Sequence, residues 1–286
     1  MLQGIDPSNQ HSFQMIYTPT NYTARNATMA MLNAIINDGA VAALGDWTSS
    51  VTIPQAHAGS KWFMYMCSGG ATSGQLSDKT AFPYFFRSIC QDPAQGIVIA
   101  HFIKYMSWKS AALIASSDAY GQSVGNAFLT TAQTLGLSVV QNQVIQPGQT
   151  DYSIALNAIL NSGSQIIVLS ALSENSILLL RQARAMGMIG PEWVWIGPEA
   201  FDYWMDLQIN AEDVKNVQGM LYVYPQEKTF NALFNASLAR YNAAYPNEPS
   251  PPSYSYLFLG MELHDCHGQG HPSTCPRCEP RRHLCS

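Results

Sequence analysis

Residues 111 to 145 read AALIASSDAYGQSVGNAFLTTAQTLGLSVVQNQVI, and this stretch decides the fold. Ala111 to Ser116 is a short apolar run bounded by polar residues, which predicts a strand. Val124, Ala127, Phe128, Thr131, Ala132 and Leu135 then recur at helical spacing and make one buried stripe. Gly136 follows at the position where a helix commonly ends in a left-handed residue, and Leu137 to Ile145 resumes a strand pattern. Strand, helix, strand with a short return is the unit of a parallel α/β sheet.

The same alternation extends outward over residues 13 to 225. Further strands are predicted at Phe13 to Tyr17, Ala40 to Leu44, Trp62 to Met66, Tyr84 to Ile89, Gln165 to Ser170, Trp193 to Ile196 and Gly219 to Tyr224. Phe230, Leu233, Phe234, Ser237, Leu238 and Tyr241 mark a second amphipathic helix, and Gly39, Gly163 and Gly187 stand at further helix ends. After about Ser253 the pattern stops. Residues 261 to 286 mix His, Cys, Pro and Arg without apolar period, which predicts a disordered tail outside either core.

Composition narrows the function classes. The chain has 286 residues, 47% hydrophobic and 12% charged, with a formal net charge of -5. That leaves no basic surface for nucleic acid and no polybasic stretch for an anionic membrane. The longest apolar runs, near Ile166 to Leu172, fall far short of the ~20 residues of a membrane span. Met1 to Pro7 lacks the basic and apolar regions of a secretory signal. Sequons at Asn21, Asn26 and Asn235 suit glycosylation in a secreted chain, although the motif is common by chance. No G-x-S-x-G, Walker A, H-E-x-x-H or G-x-G-x-x-G stands at a strand-to-helix junction, and neither His57 nor His101 has an evident triad partner. The chain is therefore read as a non-enzyme, with no cofactor expected. In the tail, His267, His271, Cys275 and Cys278 have a C-x2-C spacing that suits zinc, but the interspersed prolines give no helix to present the second ligand pair, so no metal site is expected.

Four segments, in order, carry a resemblance. They are Ile36 to Gly45 running into Thr48-Ser49-Ser50, Ser68 to Lys79, Phe82 to Arg87 with Asp92, and Trp108-Lys109 leading to Ser117-Asp118-Ala119-Tyr120-Gly121. Together they resemble the receptor-family ligand-binding region, in the type I periplasmic-binding-protein fold. Class C G-protein-coupled receptors, natriuretic-peptide-type receptors and bacterial branched-chain amino-acid-binding proteins share that fold. The stretch from Ala71 to Lys79 and the Phe85-Phe86-Arg87 strand look closer to the eukaryotic receptors than to the bacterial transport proteins. The resemblance implies an α/β fold of two Rossmann-like lobes with parallel sheets joined by hinge strands, closing like a venus flytrap on a small molecule. It also implies a cell-surface or extracellular setting, a homodimer through lobe 1, and a transmembrane signalling module absent from this chain. The expected boundaries are lobe 1 over 1–92, lobe 2 over 93–225, a return to lobe 1 over 226–260 and the tail over 261–286. By the same comparison the family's first strand, ahead of Phe13, and its C-terminal part are missing here. Asp92-Pro93 and Tyr224-Pro225 would be the extended crossovers, because a residue before proline is pushed out of the helical region.

Ligands of parallel α/β sheets sit beyond the carboxyl ends of the strands. Ser49 and Ser50 follow one predicted strand, and Gly70 and Thr72 follow the next, in loops able to aim amides and hydroxyls at a carboxylate. Taken alone, such hydroxyls read more readily as helix N-caps. Asp92, Tyr120 and Glu199 supply groups for an ammonium and an apolar stem, although each alone reads as a solvated loop residue. In the family the matching positions line the cleft, so the resemblance implies an amino acid as ligand. Cys67 and Cys90 read either as a disulfide pair or as two small buried cysteines. A solute-binding protein of an amino-acid transporter, an enzyme on the same fold and a non-functional truncated product are the alternatives.

Overall fold

A computed structural model describes residues 14–201 and 210–224, with isolated positions between 235 and 246. These group into two compact units. Among the described residues, the first holds 14–72, 76–90 and the isolated positions between 235 and 246, and the second holds 73–75, 91–201 and 210–224.

The second unit begins with helix α3 (Asp92–Tyr105) and alternates thereafter: β4 (Ser110–Ser116), α4 (Ala119–Thr134), β5 (Ser138–Ile145), α5 (Ser153–Ser162), β6 (Ile166–Ser170), α6 (Ser173–Ala185), β7 (Val194–Gly197), α7 (Ala211–Val217) and β8 (Leu221–Tyr222). The sheet order is β5-β4-β6-β7-β8, and all four pairings are parallel. Two apolar layers explain why β4 and β6 read as continuous apolar runs. Ala112, Ile114, Ile167, Leu169 and Trp195 face Leu156, Ile159, Leu179 and Leu180 of α5 and α6. Ala111, Leu113, Ala115, Val168 and Ile196 face Ile99, Ile103, Val124 and Phe128 of α3 and α4. Strands buried on both faces need apolar residues at every position rather than at alternate ones. The chain leaves β4 toward β5 on one side and returns to β6 on the other. The ends of β4 and β6 therefore flank the topological switch point where such sheets place ligands.

The first unit comprises α1 (Ala24–Asp38), β1 (Ala42–Leu44), α2 (Ser49–Ser60), β2 (Tyr65–Ser68) and β3 (Phe85–Arg87), with a parallel sheet ordered β1-β2-β3. Met31, Ala56, Met66, Leu76, Phe82 and Phe85 form its core. Glycines end α1 and α5 in the left-handed conformation, Gly39 at φ 68° and Gly163 at φ 72°, as their sequence positions predict.

The structure differs from the sequence reading in three places. Residues 14 to 17 form no strand, and Met15 and Tyr17 are 70% and 91% exposed. An apolar, β-prone composition makes a strand only where a neighbour offers a ladder. Trp62 and Phe63 belong to a turn after α2, closed by the Met64 N–H donating to Gly59 O at 3.0 Å, so β2 starts later. Pro93 lies in the first turn of α3 and not in an extended hinge. Proline is tolerated there because the early helix N–H groups have no intrahelical acceptor. Pro225, most of the second amphipathic helix and the tail with His267, His271, Cys275 and Cys278 lie outside the described residues.

Candidate functional site

In the second unit, three elements deliver polar side chains to one buried cluster. Glu199 follows β7 by two residues and is 2% exposed. Tyr120 lies in the first turn of α4, which Asp118 caps by accepting from the N–H groups of Tyr120 and Gly121, both at 2.9 Å. The cap fixes the start of the helix, and the Tyr120 hydroxyl donates to Glu199 Oε2 at 3.2 Å. From α3, the Gln95 Oε1 accepts from the Glu199 N–H at 3.0 Å, while its Nε2 donates to Asp92 Oδ1 at 3.5 Å. Asp92 itself is fully buried at the start of α3.

The electrostatic state of this cluster follows from its burial. Removal from water pushes the Glu199 carboxyl up from 4.5 to about 7, and hydrogen bonds from its own backbone, Gln95 and Tyr120 pull it only partly back. Among the described residues no Lys or Arg pairs with Glu199. An acidic group without a protein counter-charge can be satisfied by a proton or by a cation from outside.

In the first unit, the loops after β1 and β2 are tied together. Ser68 Oγ donates to Asp46 O at 2.8 Å and accepts from the N–H groups of Gly70 and Ala71 at 3.2 and 2.9 Å. Asp46 also receives the Thr48 N–H and hydroxyl and the Thr20 hydroxyl. Thr48 is the N-cap of α2, yet its side chain does not cap the helix. The capping account of this hydroxyl-rich loop therefore fails at the one residue in position to use it. Ser49, in the first helical turn, is 3% exposed, and Ser50 is exposed. Gly70 is a packing requirement: a Cβ there would lie 2.3 Å from the Trp47 ring. Thr72 is 1% exposed, and its Oγ1 has no hydrogen-bond partner among the described residues.

Other motif residues have structural roles. Lys79 donates to Phe85 O and lies 5.0 Å from the Phe86 ring centre, and Arg87 donates to Ala71 O and Ser77 Oγ. Burial first, then the neighbouring Arg87, pulls the Lys79 ammonium below its usual range. These bonds clamp the Ser68-to-Lys79 segment onto β3. Cys67 keeps a buried thiol, whereas Cys90 is disulfide-bonded, so the Cys67–Cys90 pairing does not form. Among the sequon residues, Asn21 and Asn26 are exposed, and the Thr23 hydroxyl caps α1 by accepting from the Asn26 N–H. Asn235 is exposed as well. Among the described residues there is no His/Cys/Asp/Glu group able to hold a metal, and no helix long and apolar enough to cross a membrane. Gln95 is the cluster member that sequence reasoning missed.

Parallel α/β units with buried polar groups gathered beyond the strand ends define a ligand-binding architecture of the periplasmic-binding type. The chain belongs to the receptor family ligand binding region, whose model matches residues 6–276. An amino acid binding protein of Pseudomonas aeruginosa is 26% identical over 162 residues, 56% of this chain and 43% of that protein. Glutamate receptor 3.4 of Arabidopsis thaliana is 24% identical over 240 residues, 82% of this chain and 24% of that protein. Among solved structures, a leucine binding protein of Thermotoga maritima superposes with a TM-score of 0.70 at 20% identity, covering 86% of this chain and 69% of that one. The chain spans about half the length of the first curated relatives it matches. These relatives are binding proteins and receptors.

Proposed function

We propose that this chain is the ligand-binding region of an extracellular receptor and that its ligand is an α-amino acid. The observation that carries the reading is the buried Glu199 carboxyl, held by Tyr120 and Gln95 and lacking a cationic partner among the described residues. A ligand ammonium would supply the missing counter-charge, with Asp92 adding negative potential from the same cluster. By the resemblance, Ser49 and Thr72 are the hydroxyls proposed for the ligand carboxylate, and the Thr72 Oγ1 has no hydrogen-bond partner among the described residues. The Tyr120 ring would cover the apolar stem. Relatives named for amino-acid binding and for glutamate reception support this ligand class.

The second reading, a solute-binding protein serving a transporter, is favoured by the bacterial binding proteins among the relatives. Both readings share the ligand chemistry. It is tested by measuring the affinity of L-amino acids against their deaminated and decarboxylated analogues. Loss of either end should weaken binding at least tenfold, and an analogue without the ammonium that binds as well as its parent would remove the amino-acid assignment. Fusing the chain to a receptor's membrane segment and recording ligand-dependent signalling separates the receptor from the transport reading.

A further inference from the structure

We propose that Gln95 is a positioning residue for the acidic cluster, its one amide fixing Glu199 through the backbone and Asp92 through the side chain. The two ends of the amide are not interchangeable. The Glu199 N–H calls for an acceptor and the Asp92 carboxylate for a donor, and of the two ends of the amide only Oε1 can accept and only Nε2 can donate. Gln95 is 5% exposed, so water does not stand in readily for either end.

The platform beneath it is tightly packed. The next residue, Gly96, is where α3 meets α4, and a Cβ there would lie 2.3 Å from Val124 O and 2.7 Å from Phe128 N. Close backbone approach at this crossing fixes α3 against α4, and with it Gln95 and Tyr120, which both bond to Glu199 just past β7. Of the titratable groups on these elements, Tyr120 donates to the Glu199 carboxyl and Asp92 is joined to Glu199 through the Gln95 amide, and the Gln95 side chain is among the groups that pull Glu199 back toward its ionised form. Gln95 thus holds Glu199 closer to the anionic state that a ligand ammonium requires. This role rests on the reading of Glu199 as the ammonium's partner, and it adds a residue that touches no ligand.

The test follows the Glu199 side-chain carboxyl carbon by NMR from pH 5 to 9 in the uniformly 13C-labelled full chain without ligand, with Glu199→Gln identifying the resonance. Gln95→Met keeps the length and removes both polar ends. Gln95→Glu keeps the shape and adds a carboxyl beside Asp92. Both should raise the Glu199 midpoint by roughly half a pH unit or more. An unchanged midpoint in a folded variant overturns the proposal, and so does loss of fold in both, which would make Gln95 a purely structural residue. If only Gln95→Met fails to fold, Gln95→Glu decides. The titration needs no ligand, so failure of the amino-acid reading shows separately, as equal binding of a deaminated analogue to the wild type.

Discussion

Replacing Glu199 with Gln keeps the shape of a buried side chain and removes its titration, which makes the pH dependence of stability a direct reading of its environment. In the folded state the carboxyl is pushed up to about 7, against an ordinary value of 4.5. A raised acid binds its proton more tightly when folded than when unfolded. Its stabilisation is therefore full below the unfolded value and is lost as pH rises through the folded one. Between pH 5 and 8 the wild type should lose about 2.5 kcal/mol from this group alone. Glu199→Gln lacks the slope, so the variant should be no more stable than the wild type at pH 5 and clearly more stable at pH 8. Urea unfolding monitored by fluorescence at both pH values, without ligand, measures the difference. Parallel stability profiles for the two proteins would refute the argument, since they would mean that Glu199 is as well solvated folded as unfolded.

Thr72→Val should leave the ligand-free melting temperature unchanged or raised, because the buried hydroxyl has no hydrogen-bond partner among the described residues, while weakening ligand binding by about 1.5 to 3 kcal/mol. Thr72→Ser should retain most of the affinity in the same calorimetric titration. Tyr120→Phe removes the hydroxyl that helps keep Glu199 ionised, so its affinity deficit should be largest near pH 7 and shrink by pH 8.5. Arg181→Ala should lower stability by about 1 kcal/mol, since Asp213 is 1% exposed and receives two bonds of 2.6 Å from a guanidinium that water partly screens. The Asp213 carboxyl is held below its usual range chiefly by that bond, so this contribution is present at neutral pH and declines as pH falls below the ordinary aspartate range, which a series of chemical unfolding curves from pH 7 downward would show.

What the sequence made legible and what it did not divide along physical lines. The strands β4, β6 and β7 were readable because burial on both faces demands apolar residues at every position, and the helices between them because one face alone is buried. Tyr120 and Glu199 stood out as polar residues just past apolar runs, where a strand end must lie. Gln95 carried no such mark. It sits within a helix, and its role depends on α3 being brought beside a backbone N–H that is 104 residues away in sequence. Residues 14 to 17 misled for the opposite reason, since strand-like composition does not state whether a neighbouring strand is there to pair with.

The central claim is that a ligand ammonium replaces the proton of Glu199, and calorimetry in buffers of different ionisation enthalpy counts that proton. At pH 7 the carboxyl should be close to half protonated, so binding of an L-amino acid should release about half a proton per ligand in the wild type and none in Glu199→Gln. Tight binding of an amino acid with no proton released, or with the same release in both proteins, would contradict the account.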